Sequence, residues 1–483
     1  MGLLGVLIPL CLLIWLAYRG WSILLLAPAA AIVAALLAGE PMLAHWTQTF
    51  MGSAARFVMQ FFPIFLLGAL FGKLMEDSGS VSTIAAFMTE KLGVKRAILA
   101  VVLAGALVTY GGVSLFVAFF VIAPMAQALF RAAAIPKRLM PAAIALGTST
   151  FTMSALPGTP AIQNAIPMPF FGTTPFAAPG LGVIASIIML VFGMWWLMRA
   201  EAKARATGEG YGDDGALAET AASDPIVRER ATTSGAFDPA EIAHSEETKA
   251  GPPIALAVLP LIIVVGVNLL MSLFILPRLD ASYLAQDAWG ATSLSAVGGV
   301  WAVCTALATA IAVLVALNIS RLPSLRATMD AGANASALPV LSVASLVGFG
   351  SVVAALPAFA MVRDWVLGIQ GGPLVSLAVA TNVLASLTGS ASGGLTIALD
   401  ALGASYMQIA AQQGIDPALM HRVAVIGAGT LDSLPHNGAV VTLLAVCGST
   451  HKESYFDMVM VAIVGAILGL IAVIGLGTAF GSF

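Results

Sequence analysis

The stretch SALPGTPAIQN, residues 154–164, places two prolines and a glycine inside a long apolar segment. Proline removes a backbone donor and clashes with the preceding helical turn, while glycine permits dihedral angles that other residues avoid. A helix that enters this stretch is therefore predicted to unwind and to restart after it. Pro157, Gly158 and Pro160 are the residues that carry this prediction.

The composition around this break is that of a membrane protein. Of the 483 residues, 59% are hydrophobic and 9% are charged, whereas soluble domains carry roughly a quarter charged residues. Apolar segments suited to membrane spans lie near residues 2–18, 21–39, 52–76, 97–130, 138–163, 175–198, 254–276, 290–319, 333–361, 371–402, 422–447 and 457–481. The sequence therefore predicts an all-α polytopic membrane protein. Its three cysteines lie in apolar runs without paired spacing, so no disulfide or metal site is predicted.

Residues 200–252 differ from the rest of the chain because they are polar. They hold eleven of the 24 acidic residues, separated by Gly, Ala, Ser and Thr, a composition typical of a solvated and flexible linker. This linker separates a first transmembrane half, residues 1–199, from a second, residues 253–483.

The two halves share motifs in the same order. TYGGVSLF (109–116) is followed by the break at 154–164, and SASGGLTI (390–397) is followed by LDSLPHNGAVV (431–441). We align the first pair of glycines with the second, and the first Leu-Pro pair with the second, at offsets that differ by a small insertion or deletion. The motifs predict a helical hairpin near 97–130 and another near 371–402, each followed by a broken helix. A structural proline kink is the alternative for either break taken alone.

Lys and Arg placement predicts the orientation. With both termini outside and each hairpin entering and leaving on one side, 17 of the 21 basic residues fall inside. The four that fall outside are Arg56, Arg278, Arg363 and Arg422. The linker is then cytoplasmic and the two halves are inverted repeats. In lipid, irregular backbone survives only where protein or a wet cavity shields it, and matched breaks in inverted halves indicate a transporter's substrate site.

The stretches TYGGVSLFVAFFVIAPMAQALFRAAAIPKRLMPAAIALG and TMSALPGTPAIQNAIPMPFFGTTPFAAPGLG resemble the gluconate permease (GntP-type) family, and within it the 3-hydroxybutyrate permease branch. The resemblance implies a scaffold domain, a mobile elevator-type transport domain built on two re-entrant hairpins, and a homodimer in the bacterial inner membrane. It also implies proton-coupled uptake of small organic acids. Where sugar-acid members carry acidic and His-Pro-containing patterns, this chain has TYGGVS and LPGTP, which favours a shorter, less polar acid than gluconate.

A carboxylate substrate needs hydrogen-bond donors, yet no Arg or Lys lies in a break or at a hairpin tip. Backbone N–H groups at half-helix N-termini, hydroxyls and amides are therefore expected to bind it. The predicted substrate-binding residues are Tyr110, Gly111, Gly112, Ser114, Pro157, Gly158, Thr159, Gln163, Asn164, Ser390, Ser392, Gly393, Gly394, Thr396, Ser433 and Asn437. The structural alternatives are hydroxyls that bond their own helix and glycines that only allow close packing.

Asp432 and His436 flank Leu434-Pro435 at the predicted middle of a span. Ionisable groups at membrane depth are costly and usually functional, so either is a candidate carrier of the coupling proton; helix capping or a structural pair is the alternative. Asp400 is a weaker candidate. The other histidines, His45, His244, His421 and His451, are expected in loops or at span ends without a specific role.

Other functions are less consistent with the sequence. No HExxH, GxSxG or Cys/His cluster is present, so neither an enzyme nor a cofactor is predicted, and no nucleic-acid partner is expected. A channel fits two gated halves less well than a transporter. Proton symport of a hydroxycarboxylate such as 3-hydroxybutyrate is the prediction, with gluconate or another sugar acid, or sodium coupling, as alternatives.

Overall fold

The computed structural model describes residues 2–212, 224–235, 237–244, 248 and 251–483. All regular secondary structure in these residues is helical. Within them, seven helices are long and apolar enough to cross a membrane, and an eighth span results if one helix pair bent by 103° is counted together. The prediction of an all-α polytopic membrane fold is therefore confirmed.

The first half begins with long apolar helices and ends with one that runs into the linker. Its helices are α1 (Gly2–Tyr18), α2 (Ile23–Ala38), α3 (Met42–Asp77), α4 (Ser80–Leu92), α5 (Ala97–Tyr110), α6 (Leu115–Ala132), α7 (Met140–Thr148), α8 (Phe151–Ser154), α9 (Ile162–Ala165), α10 (Pro167–Phe171) and α11 (Pro179–Ala206). The irregular backbone between α8 and α9 is the break predicted from the two prolines.

The second half is preceded by one linker helix, α12 (Pro225–Ser234). Its own helices are α13 (Ile254–Leu270), α14 (Leu294–Asn318), α15 (Leu325–Ala355), α16 (Phe359–Leu367), α17 (Pro373–Thr388), α18 (Ala391–Gln413), α19 (Pro417–Leu431), α20 (Gly438–Val446) and α21 (His451–Phe480). The second break lies between α19 and α20, as predicted.

One offset relates the helices of the two halves. Corresponding helices begin at Ala97 and Pro373, at Leu115 and Ala391, and at Ile162 and Gly438. The interval is identical in all three pairs, and this common interval is the repeat offset. The predicted repeat is therefore present, but the predicted alignment is wrong. It matched like residues, Gly-Gly and Leu-Pro, that do not occupy equivalent positions.

Each half contains a helical hairpin. Helix α5 has 14 residues and α17 has 16, so at 1.5 Å per residue they reach about 21–24 Å, less than the roughly 30 Å hydrocarbon core. The first tip turns at Gly112, whose φ is +103°. The second turns at Gly389 and Ser390. Gly393-Gly394, predicted for this tip, instead lies in the first turn of α18.

Equivalent helices of the two halves pack in the same way. Helix α5 packs on α7 in the first half, and α17 packs on α19 in the second. Helices α3 and α15 pack along each other and bring together the two halves. On α3, Phe57, Phe61 and Phe65 are all buried. The broken helices and hairpins are thus held against a paired framework.

Part of the linker is buried against the transmembrane helices. Val227, Ala231 and Ser234, which recur at helical spacing, are buried along one face of α12, and the Phe237 side chain is fully buried. Helix α12 packs against α20, α15 and α18. The prediction of a solvated, flexible linker is therefore wrong for residues 224–235 and 237–244. Residues 213–223, 236, 245–247 and 249–250, which the same prediction covers, lie outside the described residues.

Candidate functional site

A small cavity lies where the two broken helices and the two hairpins meet. It is lined by Leu115, Ser149, Met153, Ser154, Gln163, Ser234, Ala391, Gly429, Asp432, Ser433, Asn437 and Ala439. Three pairs of these, Leu115 with Ala391, Met153 with Gly429, and Gln163 with Ala439, are separated by the repeat offset. Equivalent positions of the two halves therefore line the same cavity. This central cavity lies between the two repeated halves.

The central cavity is nearly closed. The cavity volume, measured as the space that the centre of a water molecule can occupy, is about 30 Å³. By the same measure, one water needs roughly 10–15 Å³. A neighbouring cavity of about 60 Å³ shares Leu115, Met153 and Gln163 with it and extends along the first hairpin tip. Together they have room for a few waters, so any organic substrate requires the surrounding helices to move.

Three helices, α6, α18 and α20, begin at the central cavity. Their N-cap residues are Ser114, Ser390 and Asn437, and each side chain accepts a hydrogen bond from an N–H in its own first turn, at 3.4, 3.1 and 2.7 Å respectively. The N-terminus of a helix carries about half a positive charge. These three side chains therefore fix helix ends whose dipoles favour an anion in the cavity.

The central cavity also contains a carboxylate and an unpaired amide oxygen. Asp432 follows the last residue of α19, and Ser433 Oγ donates to its Oδ1 at 3.3 Å. Gln163 is 5% exposed, and its Oε1 has no hydrogen-bond partner among the described residues. Buried polar atoms are almost always paired. Gln163 Oε1 therefore needs a donor that a water or a substrate hydroxyl supplies.

Each break is tied to the hairpin of its own half. Tyr110 Oη, at the end of α5, donates to the carbonyl of Pro157 at 2.9 Å. In the second half, His436 Nε2 donates to the Ser386 carbonyl at 3.0 Å, and Asn437 Nδ2 donates to a carbonyl of the hairpin tip at 2.7 Å. Hairpin and break are therefore expected to move together.

His436 belongs to this connection rather than to the central cavity. It occupies the position in the second half that Pro160 occupies in the first, one repeat offset later. Pro160 packs against Gly112 at the first hairpin tip, and the His436 ring packs against Gly389 at the second. Packing on a hairpin tip is thus common to both positions, although only the second carries an imidazole.

Hydrogen bonds to backbone carbonyls hold the first break in its unwound shape. Asn164 is fully buried, and its Nδ2 donates to the carbonyls of Thr159 and Pro175 at 3.0 and 3.1 Å. Asn268 of α13 donates to the Gly158 carbonyl at 3.0 Å. These bonds satisfy acceptors that an unwound helix would otherwise leave unpaired.

Two residues that the sequence interpretation left outside the site lie fully buried beside the first break. Arg422 donates to the Ala177 carbonyl at 2.7 and 3.2 Å, to the Ser154 carbonyl at 3.2 Å and to Asn164 Oδ1 at 3.4 Å. His421 contacts the same Asn164 Oδ1 at 3.1 Å. The expectations of an external Arg422 and of a His421 at a span end are therefore wrong. Ser154 lines the cavity, so the guanidinium lies directly behind that wall.

The sequence did contain a signal for this position. Asp416-Pro417 is a typical helix start, and Asp416 Oδ1 accepts a hydrogen bond from the Ala418 N–H at 2.8 Å. Counting from that start puts Arg422 in the second turn of α19, inside an apolar segment. The apolar segment predicted for residues 422–447 instead placed Arg422 at the end of the span.

The predicted site residues divide into two groups. Those that line one of the two cavities are Gly112, Ser114, Gln163, Asp432, Ser433 and Asn437. Those that line neither are Tyr110, Gly111, Pro157, Gly158, Thr159, Asn164, Ser390, Ser392, Gly393, Gly394, Thr396 and His436. In the second group, Thr396 Oγ1 bonds the Ser392 carbonyl of its own helix at 2.7 Å, the structural alternative foreseen for it.

The chain is 40% identical over 485 residues to an uncharacterized transporter, YxjC, of Bacillus subtilis (strain 168), with 99% of each chain covered. Two solved structures have a similar fold. The YdaH transporter of Alcanivorax borkumensis matches with a TM-score of 0.53 and 15% identity, covering 91% of this chain and 89% of that one. MtrF of Neisseria gonorrhoeae, which represents a class of antimetabolite efflux pumps, matches with a TM-score of 0.51 and 13% identity, covering 91% and 83%.

These similarities support transport rather than catalysis. At 13–15% identity, the two structures establish the fold of a polytopic membrane transporter. The relative that matches along the whole chain is also a transporter. A model of the GntP family permeases matches residues 1–199, the half that contains the first hairpin and the first break. The chain belongs to the GntP permease family.

Proposed function

We propose that this protein is a secondary transporter that takes up a small hydroxycarboxylate such as 3-hydroxybutyrate together with a proton. The observation that carries the proposal is the central cavity, which lies between the two repeated halves and is lined by Asp432, Ser433 and Gln163. Both halves line it with equivalent positions. Such a site can be closed from either side of the membrane by the same kind of movement.

The charges around the cavity favour an organic anion. Three helix N-termini point their positive ends at it, and Arg422 lies behind the Ser154 wall without a carboxylate partner among the described ion pairs. Interactions of this kind are stronger in a dry protein interior than in water. A substrate carboxylate would supply the missing negative charge.

The unpaired amide oxygen favours a substrate that also carries a hydroxyl. Gln163 Oε1 accepts a hydrogen bond and cannot donate one, so a carboxylate oxygen cannot satisfy it. A hydroxyl on a short acid can donate to it while the carboxylate is held elsewhere in the cavity. The largely apolar remainder of the lining, with Leu115, Met153 and Ala439, favours a short acid over a sugar acid with many hydroxyls such as gluconate.

Asp432 is the group that couples a proton to this anion. Two like charges about 6 Å apart repel by roughly 3 kcal/mol at an effective dielectric constant of 20. A substrate carboxylate therefore binds about 100-fold more tightly when Asp432 is protonated, and by linkage it promotes that protonation to the same extent. His436 is the less favoured carrier because it lies with the hairpin tip, outside the cavity.

The proposed transporter is a homodimer in the bacterial inner membrane, with both termini outside and the linker in the cytoplasm. The α3–α15 pair is suited to a scaffold, because it joins the two halves without forming part of either hairpin. The hairpins and broken helices would then form the mobile elevator domain.

The decisive experiment is uptake of labelled 3-hydroxybutyrate by purified protein in liposomes. A proton gradient and a sodium gradient are imposed separately, and unlabelled gluconate and lactate are added as competitors. We expect saturable uptake driven by the proton gradient, with weaker competition by gluconate than by lactate. Uptake driven by sodium alone would replace the proposed coupling, and strong competition by gluconate would replace the proposed substrate.

A matched pair of variants tests the site independently of the substrate list. Asp432→Asn removes the cavity carboxylate, whereas Asp400→Asn removes an exposed carboxylate that bonds Ser351 at 2.5 Å on the neighbouring α15. Gradient-driven uptake should be lost only in the first. Equal loss in both variants, or in neither, contradicts the assignment of the site.

A further inference from the structure

The linker reaches the centre of the molecule. Ser234, the last residue of α12, lines the central cavity, and the next residue, Gly235, lines the neighbouring one. Sequence composition had placed this segment in solvent. The wall of the candidate site is therefore built from three parts of the chain: the first half, the second half and the segment that joins them.

Two contacts leave no room for a side chain between the linker and the helices α6 and α20. A Cβ added to Gly438, the first residue of α20, would collide with the carbonyl of Arg230. A Cβ added to Gly235 would collide with the ring of Phe116 in the first turn of α6. The linker backbone therefore rests directly on the N-termini of two helices that begin at the cavity.

The other side of the linker is anchored to the framework helices. The Asp238 N–H donates to the Ala335 carbonyl of α15 at 2.8 Å, and Lys73 Nζ of α3 donates to the Ile242 carbonyl at 2.6 Å. Glu229 Oε1 accepts from the Ile23 N–H of α2 at 2.9 Å. The segment thus bridges the framework and the broken helices.

An internal ion pair fixes the shape of the segment. Arg228 donates to both carboxylate oxygens of Asp238, at 2.6, 3.0 and 3.1 Å. Asp238 is 2% exposed, and the Phe237 ring beside it is fully buried. A bidentate pair of this kind holds a defined geometry, so the return of the chain after α12 is rigid enough to close a cavity.

We infer that residues 224–235 and 237–244 form a plug that closes the central cavity on the linker side and has to leave before a solute can pass on that side. The cavity has room for only a few waters, and the plug contacts both α6 and α20 beside it. The inference rests on the proposed function for the identity of the solute, but not for the closure itself.

Accessibility of a cysteine inside the cavity tests the plug. The native Cys11, Cys304 and Cys447 are replaced, and Ala439→Cys, which lines the cavity, is introduced as the reporter. Its modification by a small methanethiosulfonate reagent is timed in purified protein with and without Phe237→Ala. We expect labelling to be slow with the plug intact and at least tenfold faster when the buried ring is removed.

Two further variants keep the test decisive. Arg228→Gln breaks the pair with the buried Asp238 and should also accelerate labelling. Arg205→Gln, which breaks an exposed pair with Glu201 on α11, is the matched control and should not. Unchanged labelling in both Phe237→Ala and Arg228→Gln, in protein that still elutes as a single species, overturns the plug. If Phe237→Ala does not fold, Arg228→Gln decides alone.

The outcome is separable from the proposed function because labelling involves no substrate. Faster labelling together with absent hydroxycarboxylate uptake would retain the plug and reject the substrate. Normal proton-driven uptake with unchanged labelling in both plug variants would retain the substrate and reject the plug.

Discussion

Replacing Arg422 by Met tests the residue that the sequence interpretation missed. The change leaves two buried carbonyl oxygens, those of Ala177 and Ser154, without this donor, whereas Asn164 Oδ1 keeps its contact with His421 Nε2. Each orphaned acceptor costs about 1–3 kcal/mol, or roughly 2–6 kcal/mol for the two. Removing a buried charge returns several kcal/mol. The free energy of unfolding is therefore expected to fall by about 1–3 kcal/mol, measured by denaturant titration in detergent.

The same substitution is expected to weaken substrate binding through charge. A guanidinium roughly 8 Å from a bound carboxylate contributes about 2 kcal/mol at an effective dielectric constant of 20, so KM for uptake should rise about 30-fold. Arg422→Lys keeps the charge but loses the planar fork. It should retain most of the substrate affinity while losing stability.

Arg326→Met, at a side chain that is 92% exposed, serves as the control and should change stability by less than about 0.5 kcal/mol. If Arg422→Met behaves like Arg326→Met in both stability and KM, the guanidinium neither holds the break open nor attracts the substrate, and the electrostatic account of the site is refuted.

Three further predictions concern coupling, recognition and orientation. Asp432→Asn should abolish uptake against a gradient but preserve substrate exchange, because a neutral side chain mimics the protonated state; retained accumulation would place the proton elsewhere. Gln163→Leu should raise KM about tenfold for a hydroxy acid and leave KM for the same acid without its hydroxyl unchanged, since only the first needs the amide oxygen; equal effects on both acids would remove Gln163 from recognition. A cysteine at Gly208, near the start of the linker, should resist an impermeant reagent applied to intact cells and react in inverted vesicles; labelling in intact cells would reverse the orientation.

The spans and both breaks could be predicted from the sequence because each rests on a local physical rule. Roughly 20 apolar residues suit a bilayer, and Pro157 and Pro160 cannot continue a helix. The first hairpin tip followed from Gly112, which adopts a positive φ. These features depend on a few neighbouring residues, so the surrounding fold does not change them.

The register of the repeat could not be predicted by matching like residues. Gly111-Gly112 serves a turn, whereas Gly393-Gly394 allows α18 to approach α17 so closely that a Cβ on Gly394 would strike the backbone of Ala385. The same dipeptide therefore has two different structural roles, a turn in the first half and close helix packing in the second. Helix starts are the better guide, because Ser114 and Ser390 cap equivalent helices and are separated by the repeat offset.

The linker was misinterpreted because average composition hides a local pattern. Acidic residues are frequent in residues 200–252, but Val227, Ala231 and Ser234 recur at helical spacing within them, and Phe237 follows. That pattern predicts one buried face on a short helix, as the structure has it. The average composition of a segment indicates how polar it is as a whole. It does not exclude one buried face on a short helix within that segment.

The central cavity joins a symmetric backbone to asymmetric chemistry. At the repeat offset, Asp432 corresponds to Leu156, Arg422 to Leu146, and Gln163 to Ala439. Each of these three polar residues thus corresponds to an apolar residue in the other half. In the proposed mechanism, the repeated helices give the two halves similar movements, whereas Asp432 is the one carboxylate among the described residues that lines the central cavity. A second carboxylate in that lining would add a like charge and oppose binding of an anion. We therefore expect this departure from the repeat to allow a proton to accompany the proposed substrate.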